Sequence, residues 1–162
     1  MAAAGVRINK VHITCALELE SPATNETGRA ALAGYVEERY LHQTLARSKT
    51  GTILRQIDLT SDLALRPPSE FRDADAWRIH FHVPVHAERL GPLRTTRQEL
   101  RQALATVAQL DYAPHLEVET YTWEVLPNRP HVSGPQMLID GLTAEMVATR
   151  GLLGEIALEF RL

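Results

Sequence analysis

His80 and His82, separated by Phe81, are the residues of this chain best suited to hold a metal ion or to move a proton. A β-strand sends alternate side chains to opposite faces, so Arg78, His80 and His82 share one face while Ile79, Phe81 and Val83 share the other. The two imidazoles then stand about 7 Å apart along the strand. A second alternating stretch carries His115, Glu117, Glu119 and Tyr121 between Leu116, Val118 and Thr120, and a third carries Lys10, His12 and Thr14 between Val11, Ile13 and Cys15. Carboxylates on an otherwise β-branched strand are costly to bury unless paired or bound to metal. Glu119 is therefore the expected metal ligand or general base, with Glu117 as a residue that orients it. Arg78 is either an anion clamp or the internal counter-charge to Glu117.

His42 shares parity with Tyr40 and Thr44 and is the expected inward ligand of a neighbouring β-prone run, leaving Gln43 on the opposite face. His12 either supplies a further imidazole or, with Lys10 and Thr14, contacts a phosphate. The candidate metal set is thus His12, His42, His80, His82 and Glu119, and the candidate catalytic set is Glu119, Glu117 and Arg78. Such a set suits Mn²⁺, Zn²⁺, Fe²⁺ or Mg²⁺ and does not choose among them. A metal that polarises a carbonyl or hydroxyl while a carboxylate moves a proton gives isomerisation or epimerisation. With a bound water the same residues would serve a metal-dependent hydrolase. Without turnover they would line the pocket of a metabolite-binding or traffic protein.

The elements that position these residues follow from the spacing of apolar and turn-forming residues. Strands are expected over Arg7–Leu17, Tyr40–Ala46, Thr52–Ile57, Trp77–Val85 and His115–Trp123, with a hairpin through Arg47–Gly51. Helices are expected over Gly28–Arg39, Asp58–Leu65 with Thr60 or Ser61 as cap, Thr96–Leu110 and Thr143–Glu159. Thr96-Arg97-Gln98-Glu99 fits the capping-box pattern, and Arg66–Asp75, with two prolines, reads as a loop. Strands separated by helices point to an α/β domain with parallel strands, whose ligand site lies at the C-terminal strand ends. Polar alternation is poor filling for a parallel sheet covered by helices on both faces and suits the mouth of a barrel.

Composition narrows the function classes. The 162 residues suffice for one domain with a real core. A net charge of −3 and arginines scattered along the sequence argue against nucleic-acid binding. Cys15 is the single cysteine, which excludes an intrachain disulfide and favours a reducing compartment. No apolar run approaches the ~20 residues that cross a bilayer, and the N-terminus has no secretory pattern. A soluble, cytoplasmic protein is expected.

Three motifs, in order, carry a family resemblance: Tyr40-Leu41-His42-Gln43, Trp77-Arg78-Ile79-His80-Phe81-His82-Val83-Pro84, and the run from His115-Leu116-Glu117-Val118-Glu119 through Trp123 to Pro127. They resemble EboE-type metabolite-traffic proteins, xylose-isomerase-like TIM barrels of the sugar phosphate isomerase/epimerase superfamily. The resemblance implies a (β/α)₈ barrel with a divalent-metal site and a small-molecule substrate, in a pathway of secondary-metabolite traffic or biosynthesis. Such a barrel typically has about 250 residues. With four barrel strands and a small hairpin, residues 1–162 resemble its C-terminal half as a single domain. The rest of the wall is then expected from an N-terminal half-barrel, as a separate chain or missing segment, or from a second copy.

Overall fold

The computed structural model describes residues 5–119, 125–127 and 135–160, the last three of these by their backbone alone. Strand β1 (Lys10–Ile13) is followed by β2 (Cys15–Glu20), helix α1 (Glu26–Ala33) and the hairpin β3 (Thr44–Arg47) and β4 (Ile53–Gln56). Two short helices, α2 (Ser61–Leu65) and α3 (Ser69–Arg72), lead into β5 (Ala76–Val83) and the small hairpin β6 (Arg89–Leu90) and β7 (Leu93–Thr95). Helix α4 (Arg97–Val107), strand β8 (His115–Val118) and helix α5 (Pro135–Phe160) complete the described chain.

Six strands form one sheet in the order β4-β3-β5-β2-β7-β6, and every pairing in it is antiparallel. This overturns the expected parallel half-barrel. Among the described residues the one parallel pairing joins β1 to β8, in a separate two-stranded sheet. The physical reason lies in the alternation itself. An antiparallel sheet commonly packs one face on a core and leaves the other polar, so alternating residues need no barrel mouth to explain them. Trp77, Ile79, Phe81 and Val83 of β5 are buried together with Leu17, Leu19, Ala46 and Leu93 of its neighbours. Helices α1 to α3 cover them through Leu32, Leu63 and Phe71. Trp77 donates its indole N–H to the Phe71 carbonyl at 2.7 Å and meets the Phe71 ring edge-on. Burying each of these large side chains stabilises the fold by about 1.5–3 kcal/mol.

Several element boundaries shift for identifiable reasons. The expected strand Arg7–Leu17 breaks at Thr14, and its two halves serve different sheets. The expected strand from Tyr40 starts only at Thr44, because side chains take the backbone donors before it. The Glu37 carboxylate accepts from Arg39 and Tyr40, and Asp58 accepts from His42. The expected hairpin forms, Thr60 caps α2, and the segment expected as a loop at 66–75 contains α3. Helix α4 also forms, but without the capping box: Thr96 Oγ1 accepts the Ala16 N–H at 2.8 Å, while Glu99 meets Arg78. Gly28 lets α1 approach β2, since a Cβ there would fall 2.5 Å from Leu19 Cδ1.

Helix α4 packs against β2 and α5, and α5 packs against β8. Leu138, Ile139, Leu142, Met146 and Val147 of α5 remain exposed. Among the described residues no helix is long and apolar enough to cross a membrane. Cys15 is fully buried, and burial pushes its thiol up to about 12. Only the thiolate is nucleophilic. In native protein at pH 8, Cys15 is expected to resist a thiol reagent such as dithionitrobenzoate. It should react fully once denaturant unfolds the chain, as followed by absorbance.

Candidate functional site

On the outer face of β5, Arg78 and His80 are exposed on the side opposite Trp77, Ile79 and Phe81. Strand β3 lies antiparallel beside it, with Leu45 opposite Arg78 and Thr44 opposite Ile79. The residue that shares the face of His80 is therefore Gln43, whose Oε1 lies 2.8 Å from His80 Nδ1. On the other side, the β1–β8 ribbon closes onto the end of β5. The Glu119 N–H donates to the Ile13 carbonyl, and the Glu119 carbonyl lies 3.2 Å from His82 Nδ1.

These anchors favour one tautomer of each ring. A carbonyl oxygen only accepts, so His82 carries its hydrogen on Nδ1 and presents a lone pair at Nε2. Gln43 Oε1 holds the hydrogen of His80 on Nδ1 in the same way. The two Nε2 atoms then face each other 3.0 Å apart. Two lone pairs at that separation repel unless a proton or a cation lies between them. Burial lowers the pKa of His82, and the charges of His80 and His12 lower it further, against an opposing contribution from Glu119. His82 is neutral near pH 7, the state in which imidazole binds metal.

Close by, the His12 Nδ1 meets a Glu119 carboxylate oxygen in a short contact across β1 and β8. Both residues act electrostatically on His82. The sequence-expected residues His12, His80, His82 and Glu119 are thus brought together. Among the described residues, however, no three His, Cys, Asp or Glu side chains already converge as a formed metal site. The convergent unit is the His80–His82 pair.

The remaining candidates fall elsewhere. Glu117 pairs with Lys10 at 3.1 Å, and that hydrogen bond and charge hold its carboxyl below the usual range. Arg78 is a counter-charge, but to Glu18 at 2.7 Å and to Glu99 rather than to Glu117. His42 faces the core, stacked on Phe81 with ring centroids 4.5 Å apart. Its Nδ1 meets the His80 carbonyl at 3.1 Å and its Nε2 meets Glu37 at 2.7 Å, which leaves no nitrogen for a metal. The parity of His42 with Thr44 is as expected; that parity points into the core, away from the face of His80. Tyr121 lies outside the described residues.

No family model, curated protein or solved structure matches the chain.

The geometry of the site carries the functional argument by itself. Gln43, the main residue that sequence reasoning put on the wrong face, had a usable signal. Small residues at 44 and 46 mark the core side of β3, leaving 43 and 45 outside. A cleft of about 520 Å³ opens beside His80, walled by Gln43, Leu45, Arg55, Ile57 and Arg78. That volume lies within the range of small-molecule sites.

Burial alone would raise the Glu37 carboxyl, but hydrogen bonds from the Arg39 N–H, from His42 and from the Tyr40 N–H outweigh it and hold it below the usual range. A lowered carboxylate pKa adds stability that is complete above the unfolded value and is lost as pH falls through the lowered one. His42→Ala is expected to lower the unfolding free energy at neutral pH by about 2 kcal/mol, since it removes a buried ring and takes its partner from the partly exposed Glu37 carboxylate. Denaturant titration reads this loss.

Proposed function

We propose that this protein is a divalent-metal-dependent enzyme of isomerase or epimerase type, with His80 and His82 as paired metal ligands. The observation that carries the reading is the pair of Nε2 atoms 3.0 Å apart, with an oxygen within hydrogen-bond distance of each Nδ1. Anchoring the non-ligating nitrogen to a carbonyl is the usual support for a metal-binding histidine. The donor set therefore fits a borderline transition metal such as Zn²⁺, Fe²⁺ or Mn²⁺ better than Mg²⁺, which prefers oxygen ligands.

A metal held there would polarise a substrate carbonyl or hydroxyl. The chain supplies the proton chemistry. Glu119 is the base, and His12 on its carboxylate holds the oxygen in place and steadies its charge. The cleft beside His80 seats a small molecule against Leu45 and Ile57. Arg55, which makes no hydrogen bond or ion pair with the described residues, offers a guanidinium to an anionic or hydroxylated end. The motif resemblance contributes the context of metabolite traffic or biosynthesis, with a sugar or sugar phosphate as substrate.

Wild-type protein titrated with Co²⁺ should bind one equivalent, seen in the visible spectrum. His80→Ala and His82→Ala should each weaken binding by more than tenfold, and Gln43→Ala by about tenfold, as for loss of a ligand's anchor. Failure of the wild type to bind Co²⁺ saturably would sink the metalloenzyme reading. Glu119→Gln should keep the metal while slowing solvent-deuterium exchange into ketoses and their phosphates by at least ~100-fold. Unchanged exchange would remove Glu119 as the base. No exchange in the metal-loaded wild type would leave a binding protein, and solvent oxygen in a product would mean a hydrolase.

A further inference from the structure

A second cavity, of about 350 Å³, lies at the β6–β7 hairpin and the start of α4. Arg89, Arg94, Arg97 and Arg101 line it, together with Gln98 and a single carboxylate, Glu88. The fold brings these cations together against three separate electrostatic costs. Arg89 and Arg94 stand directly opposite each other in the hairpin register, where like charges destabilise a strand pair. Arg97 and Arg101 are four residues apart on one helix, again a destabilising like-charge spacing. Arg97 also opens the eleven-residue α4, whose dipole favours anions at that end, beside Glu99 of the same turn.

Local pairing offsets part of this, and Arg101 is not without a partner of its own. Arg94 reaches Glu20 at 2.7 Å and Glu18 at 4.0 Å, and Arg97 reaches the largely exposed Glu88 at 3.3 Å. Arg89 donates to the Pro92 carbonyl at 3.0 Å, which leaves its charge uncompensated by that contact. The helix start also lacks its side-chain cap, because Thr96 Oγ1 is taken by the Ala16 N–H. The first-turn N–H groups have no acceptor within the helix. Gly91, with φ of 60°, makes the tight turn that sets Arg89 against Arg94.

A tetrahedral dianion reverses all three costs at once: it bridges guanidinium forks, relieves both repulsions and matches the helix end. We infer that this cavity binds the phosphoryl group of a small phosphorylated metabolite, a phosphomonoester or diphosphate. The volume of this open cleft suits a phosphate with a small pendant group. A chain of net charge −3 does not present the extended basic face that nucleic acid requires. The site is built from different residues than the histidine pair, and the inference does not rest on the metal reading.

Calorimetric titration of the full chain with inorganic phosphate and with pyrophosphate tests it. Wild type should bind one equivalent saturably, and more weakly as sodium chloride rises from 50 to 200 mM. Arg89→Gln and Arg101→Gln should each weaken binding at least tenfold, while Arg66→Gln, which removes the same charge at an exposed pair with Asp62, should stay within twofold. Without phosphate, Arg89→Gln should melt at or above the wild-type temperature, since it relieves repulsion. Absence of saturable binding at millimolar pyrophosphate overturns the inference. So does equal weakening by Arg66→Gln, or a clearly lower melting temperature of unliganded Arg89→Gln, which would mark the arginine as structural.

Discussion

Burying Trp77, Ile79, Phe81 and Val83 on one face of β5 forces Arg78 and His80 onto the other, because a strand offers its side chains only two directions. That constraint organises the whole outer surface of the sheet. Antiparallel register carries it from strand to strand, so that Arg55, Leu45, Arg78, Glu18, Arg94 and Arg89 form a continuous row across six strands. Glu18 is the pivot of the row. It is almost fully buried, bonded to Arg78 and within reach of Arg94. Removing it would take from both cations their shared counter-charge, leaving Arg78 with Glu99 and Arg94 with Glu20.

The two cavities lie on this row, one on each side of Glu18, and differ in chemistry because their neighbours differ. Toward β3 and β4 the row turns apolar at Leu45, and the adjoining face of β5 carries imidazoles. Toward β7 and β6 it runs into a second arginine and the start of α4. The β1–β8 ribbon belongs to neither edge. It reaches the sheet at the end of β5, where the Glu119 backbone orients His82 and the Glu119 side chain meets His12. One residue thus serves both the tautomer of a candidate ligand and the proton chemistry proposed beside it.

Much of the local structure was legible. Alternation at 77–83 and at 115–118 marked strands, and the apolar spacing of Leu100 and Leu104 marked α4. The face shared by His80 and His82 followed from parity alone. The meaning of that parity did not, since an antiparallel sheet with one wet face and a barrel mouth write the same alternating pattern. Thr14 hid the division of one apparent strand between two sheets. His42 was misplaced because parity ranks residues within a strand and says nothing of which face a neighbouring strand turns to the site.

By itself the sequence determined what each short segment must do: which faces are apolar, where the chain turns at Gly51, and that His80 and His82 stand together. These are properties of neighbours along the chain, set by backbone periodicity and left-handed turns. Only the tertiary structure decided which strands pair and in what direction, and therefore what faces each side chain. Glu18 finds Arg78 sixty positions away, and His12 finds Glu119 across a parallel pairing. Such encounters depend on register between distant segments, which no local pattern encodes.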